Sequence, residues 1–163
     1  MQLTMQGLAN RAAWEAAGIR LPKYDIAAMR AATRQHPGWV HFGAGNILRA
    51  FPCVLIQTLL ERGDADTGMI VAEAYDEEII TRAFAPYDNL CLAVSLKSDG
   101  SVEKRVVASV AEALGYRANR ARIEEVFVNP GLQMVSMTIT EKGYAVTDAD
   151  GAPHTLILVA DDD

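Results

Sequence analysis

Two glycines one residue apart, Gly43 and Gly45, separate the run Trp39-Val40-His41-Phe42 from the helical pattern that begins at Ile47-Leu48. Glycines between a strand and a helix permit a tight turn and let backbone N–H groups approach a pyrophosphate, which is the chemistry of dinucleotide binding. The third glycine of the usual G-x-G-x-x-G spacing is missing, because position 48 is Leu. Further on, Met69-Ile70-Val71-Ala72 is followed by Glu73 and Asp76. Either carboxylate stands where the acidic residue that holds an adenosine ribose is expected, after the second strand.

The other reactive side chains form no comparable pattern. Cys53 and Cys91 are isolated in apolar runs, without C-x-x-C or Cys/His spacing, and are expected to be buried reduced thiols. His36 precedes a proline in a loop, His41 lies within the first strand as a structural histidine, and His154 falls in a weakly patterned tail. No metal site is expected from three histidines without partners at ligand spacing. Lys142, in a turn after a strand, reads as a solvated lysine.

The elements that must position the glycine turn follow from periodicity. Leu8 to Ala32 is Ala-rich with a break at Leu21-Pro22-Lys23-Tyr24-Asp25, giving a helical lead, an extended turn and a short helix over Ile26 to Thr33. This segment reads as a lead-in and not as core. After the turn, Ile47, Leu48, Phe51, Val54, Leu55, Thr58 and Leu59 recur at helical spacing and predict the buried stripe of a helix ending near Arg62-Gly63. Pro52 lies beyond its first turn, where a proline costs about 3 kcal/mol, so a kink is expected there. Leu90 to Lys97 and Val102 to Val110 form a hairpin about Asp99-Gly100. Asn119 is expected to cap a helix over Arg120 to Val128, and Gln133 to Thr140 to be a further parallel strand. The fold class is therefore α/β: a Rossmann-like parallel sheet with an antiparallel hairpin insertion, truncated.

Three ordered stretches carry a family resemblance. Val40-His41-Phe42-Gly43-Ala44-Gly45-Asn46-Ile47-Leu48-Arg49 resembles the G-x-G-N-x-x-R segment of the polyol-specific long-chain dehydrogenase/reductases, the family of mannitol dehydrogenases and of fructuronate and tagaturonate reductases. Leu21-Pro22-Lys23-Tyr24-Asp25 is similar to the L-P-x-Y-D lead-in of the mannitol dehydrogenase branch, and Thr138-Ile139-Thr140-Glu141-Lys142-Gly143-Tyr144 to its T-x-T-E-x-G-Y segment. The resemblance implies a Rossmann-type NAD(P) domain followed by a helical substrate domain, and metal-independent hydride transfer between a secondary alcohol and a ketone on a polyol or hexuronate. It places Gly43, Ala44, Gly45, Asn46, Ile47 and Arg49 against the cofactor, and Thr140 and Glu141 on the substrate or nicotinamide side. It also implies that the catalytic Lys, Asn and His belong to the second domain, so no residue of this chain is assigned as catalytic. A carboxylate at Glu73 or Asp76 would meet a 2′-phosphate as a like charge, so NAD is expected over NADP. The alternative is a non-catalytic Rossmann-like module that binds a nucleotide or a partner.

Composition bounds these readings. The chain has 163 residues, half of them apolar and 22% charged, which is a globular composition and ample for one domain. With 21 acidic against 15 basic residues and a net charge of −6, it lacks the electrostatic footprint of a nucleic-acid binder. No apolar run reaches the roughly 18 residues of a membrane span, and no signal peptide is recognisable, so a cytoplasmic location is expected. Residues 1–37 are read as lead-in and 38–163 as a partial NAD(P)-binding domain, with the helical substrate domain absent. An incomplete sheet would leave apolar surface that favours oligomers or the missing domain.

Overall fold

Helix starts are set by side chains that satisfy free backbone N–H groups. In the computed structural model, which describes residues 1–139, 147 and 150–152, the Asn10 side chain accepts from Ala13 N–H and starts α1 (Arg11–Ala16). Asp25 accepts from Ala28 N–H at 3.0 Å and starts α2 (Ile26–Gln35). Between them β1 (Ile19–Arg20) pairs in parallel with β5 (Val102–Val107), which is antiparallel to β4 (Cys91–Leu96) across the expected Asp99-Gly100 turn. The lead-in is not peripheral to the core: Leu8, Trp14, Ile19 and Leu21 form a buried cluster with Leu90, Val106 and Ala108.

The main sheet holds β2 (Trp39–Phe42), β3 (Met69–Glu73), β6 (Val110–Gly115) and β7 (Met134–Met137), all parallel, in the spatial order β6-β3-β2-β7. Counting only these strands, the order is 3-2-1-4, that of a dinucleotide-binding sheet. Strand β6 corrects the expected hairpin, whose second run the sequence pattern extends to Val110. The chain leaves the small sheet after Val107 and enters the large one at Val110. Val106 to Ala111 are all buried, so no alternation of apolar and polar residues marks the passage.

Between β2 and β3 the predicted single helix is two, α3 (Asn46–Ala50) and α4 (Pro52–Arg62). The break falls on Phe51 (φ −124°, ψ −72°), and Pro52 takes the first helical position of α4, where its missing N–H costs nothing. The break also overturns the expected buried stripe. Leu48 is buried and Val54 half-buried, whereas Ile47, Phe51, Leu55, Thr58 and Leu59 are exposed, and α4 instead buries Cys53, Ile56, Gln57 and Leu60. Helix α4 ends as the sequence indicates. Gly63 adopts φ +75°, its N–H bonds the Leu60 carbonyl and that of Asp64 the Leu59 carbonyl, a Schellman closure.

Gln57 explains which face of α4 turns inward. Its side chain donates to the Val106 carbonyl (2.8 Å) and accepts from the Ala108 N–H (2.7 Å), pairing the backbone where the chain crosses between the two sheets. On the same face of the large sheet, Leu48, Ile56, Leu60, Met69 and Val71 pack with Met29 of α2 and Phe84. The opposite face is closed by α5 (Tyr116–Phe127), whose Ile123 and Val126 cover Val40, Ile70, Ala72 and Leu114. Each fully buried aliphatic side chain in these layers contributes about 1.5–3 kcal/mol. Asn119 is not the cap of α5 but an irregular residue inside it (φ −124°, ψ 24°), its side-chain amide donating to the Gly115 carbonyl at 3.0 Å. The side chain competes with the helix for that backbone group.

Candidate functional site

The end of β2 is the point where the sheet order reverses, with β3 on one side and β7 on the other. Ligands of open α/β sheets bind outside the carboxyl ends of the strands at such a point. Gly43 continues the ladder by donating to the Ala72 carbonyl at 2.9 Å, then turns away with φ +104°. A Cβ on Gly43 would lie 2.5 Å from Thr138 Oγ1, so both conformation and space demand glycine. At Gly45 a Cβ would meet nothing within 4 Å, which leaves that side of the turn open. The amides of Gly45, Asn46 and Ile47 precede the first backbone bond of α3, from Arg49 N–H to the Gly45 carbonyl, and have no partner within the helix.

Glu73 closes the turn from the neighbouring strand. Its Oε2 accepts from the buried Ala44 N–H at 2.8 Å, and its Oε1 accepts from the N–H groups of Tyr75 (2.9 Å) and Asp76 (3.3 Å). Of the two carboxylates expected here, Glu73 is therefore the one at the turn. The exposed Asp76 faces Arg82 instead, at 3.5 Å. Arg49 donates to Asn46 Oδ1 at 2.6 Å and lies over the Phe84 ring, so it braces the start of α3 and is not a solvent-facing helix residue. The Ile47 side chain is exposed. Thr140 and Glu141 lie outside the described residues, as do Lys142, Gly143, Tyr144 and His154.

Sequence reasoning missed a polar cluster beneath the turn. Trp39 Nε1–H donates to Ser136 Oγ (2.7 Å), which lies 2.8 Å from His41 Nδ1, and His41 Nε2 lies 3.3 Å from Thr138 Oγ1. His41 is buried, as a structural histidine, and desolvation lowers its pKa below the ordinary 6.5. Alternation along Trp39-x-His41 and Ser136-x-Thr138 is the signal that puts these side chains on one face, once β2 and β7 are paired in register. Both cysteines are free. Burial pushes Cys53 up to about 12 and Cys91 to about 11, so neither is a nucleophile at neutral pH. Among the described residues no group of His, Cys, Asp and Glu is placed to hold a metal ion, and no helix is long and apolar enough to cross a membrane.

No family model matches the chain. It is 47% identical over 154 residues to the D-mannonate oxidoreductase of Thermotoga maritima, an alignment covering 93% of this chain and 29% of that protein. It is 29% identical over 138 residues to the polyol:NADP oxidoreductase of Gluconobacter oxydans, covering 83% of this chain and 27% of the relative. Among solved structures, the Pseudomonas fluorescens mannitol 2-dehydrogenase in ternary complex with NAD and D-mannitol superposes with a TM-score of 0.73 at 25% identity, over 93% of this chain and 29% of that one. The chain thus spans under a third of the length of the relatives it matches. Fold and turn together define a Rossmann-like α/β domain. The chain belongs to the polyol-specific long-chain dehydrogenase/reductase family, that of the mannitol dehydrogenases and mannonate oxidoreductases, and matches its N-terminal portion.

Proposed function

We propose that the chain is the cofactor-binding part of an NAD-dependent oxidoreductase that interconverts a secondary alcohol and a ketone on a polyol or hexuronate, such as mannitol and fructose or mannonate and fructuronate. The observation that carries this is the bond from Ala44 N–H to Glu73 Oε2, which ties an acidic residue at the end of the second parallel strand to a glycine turn at the end of the first. In dinucleotide-binding sheets those two positions take the adenosine ribose and the pyrophosphate. The residues fit such a ligand: the turn is open at Gly45, a side chain is excluded at Gly43, and the amides of Gly45 to Ile47 have no helical partner.

In this reading the free amides of Gly45, Asn46 and Ile47 donate to the pyrophosphate, Gly43 and Ala44, whose N–H groups bond Ala72 and Glu73, let it approach the turn closely, and Arg49 holds the turn in shape. Glu73 accepts from the ribose hydroxyls, with Asp76 beside it, and repels a 2′-phosphate, which favours NAD over NADP. The bound nicotinamide supplies the hydride acceptor or donor. Residues 38–163 are assigned to the cofactor part and 1–37 to its lead-in, and Thr140 and Glu141, which lie outside the described residues, are assigned to the nicotinamide or substrate side on the family resemblance alone. The proton-transfer groups come from a separate substrate domain. The test is NADH oxidation by the full-length protein with fructuronate, tagaturonate, fructose and fructose 6-phosphate. Turnover of at least one is expected, and none with any would overturn the reading.

A further inference from the structure

The polar cluster under the turn has a direction. The Trp39 indole N–H can only donate, so Ser136 Oγ accepts from it at 2.7 Å. The Ser136 proton then has one acceptor within hydrogen-bond distance among the described residues, His41 Nδ1 at 2.8 Å. A neutral imidazole that accepts at Nδ1 carries its proton on Nε2, which points to Thr138 Oγ1 at 3.3 Å. The opposite tautomer would leave the half-buried Ser136 hydroxyl proton without an acceptor, at a cost. Along the relay from Trp39 through Ser136 and His41, the Thr138 hydroxyl oxygen is thus used as an acceptor, and its proton has no acceptor among the described residues. That hydroxyl stands against Gly43, where a Cβ would come within 2.5 Å of it.

We infer that Thr138 is a ligand-binding residue: its hydroxyl, oriented by the Trp39–Ser136–His41 relay, donates a hydrogen bond to a pyrophosphate oxygen of the dinucleotide at the Gly43 turn. This rests on the dinucleotide-binding reading. Thr138 touches the ligand, whereas His41 and Ser136 act through it as positioning residues. The geometry also gives the glycine at position 43 a second purpose, since any side chain there would displace the hydroxyl. None of Trp39, Ser136 or Thr138 titrates, so with a neutral His41 the relay holds its direction around neutral pH.

The experiment is NADH binding by the full chain, wild type against T138V and T138S, with the His41 tautomer read from imidazole nitrogen shifts in wild type and S136A. Removing a hydrogen bond to a charged oxygen is expected to weaken binding about tenfold in T138V. T138S keeps the hydroxyl and stays near wild type, with the thermal midpoints of the three proteins alike. His41 is expected to carry its proton on Nε2 in wild type and to lose that fixed tautomer in S136A, with weaker NADH binding. Equal binding by wild type and T138V, or a proton on Nδ1 in wild type, would overturn the inference while leaving the dinucleotide reading intact. No binding by wild type would overturn both.

Discussion

Gly43 is held to glycine twice, by φ +104° and by Thr138 Oγ1 at 2.5 Å from any Cβ. Gly43→Ala is expected to cost about 1–3 kcal/mol of stability, the usual cost of a backbone held in a sparsely populated region, and to abolish nucleotide binding. Denaturant unfolding of the two proteins checks the first effect, and unchanged stability would contradict it. His41 makes a different prediction. Its folded pKa lies below 6.5 because burial disfavours the imidazolium, so below about 6.5 the unfolded chain takes up the proton and the native state does not. Its contribution to stability is therefore complete above that pH and is lost as pH falls towards the folded value. Thermal midpoints of wild type are expected to fall more steeply on acidification than those of His41→Gln; parallel curves would contradict this. The sequence marked Gly43, Gly45 and the alternatives Glu73 and Asp76 because each lies within a short local pattern, and the structure chose Glu73. It gave Ser136 no role and Thr138 only a place in the family segment, because both reach His41 only through the β2–β7 pairing, 95 and 97 residues away along the chain.

Among the elements, α4 shows why local pattern and final packing diverge. Leu55 and Leu59 are as apolar as Ile56 and Leu60, so periodicity supports two stripes and hydrophobicity does not choose between them. Gln57 does: only with its face inward are the Val106 carbonyl and the Ala108 N–H paired at the crossing between sheets. Gln57→Leu keeps the volume but leaves both backbone groups buried and unpaired, so a loss of about 2–4 kcal/mol is expected in denaturant titration. A change near zero would mean that apolar packing alone sets the face. Strand β3 was legible as a continuous apolar run and β2 as a short aromatic and β-branched run closed by glycines, and the Pro52 break and the Gly63 stop followed from backbone chemistry. The β5–β6 boundary was hidden because both strands are buried there and alternation vanishes.

At the scale of the molecule, apolar surface stands open on two sides. Ile47, Phe51, Leu55 and Leu59 are exposed along α3, the break and α4, and Met134, Val135, Met137 and Ile139 on and beside β7, an edge of the described sheet. Surface of this kind is unusual on an isolated monomer, and the chain covers under a third of the length of its relatives. The 163-residue chain alone is expected to associate in light scattering, and the double change L55E/L59E to raise the monomer fraction without lowering the thermal midpoint. A wild-type chain that is monodisperse and monomeric at its highest soluble concentration would contradict this. Nucleotide binding at the end of β2 is read residue by residue from amide chemical shifts during NADH titration. Saturable shifts centred on Gly43, Ala44, Gly45, Asn46 and Glu73 are predicted; saturable shifts elsewhere, or none, would contradict the account.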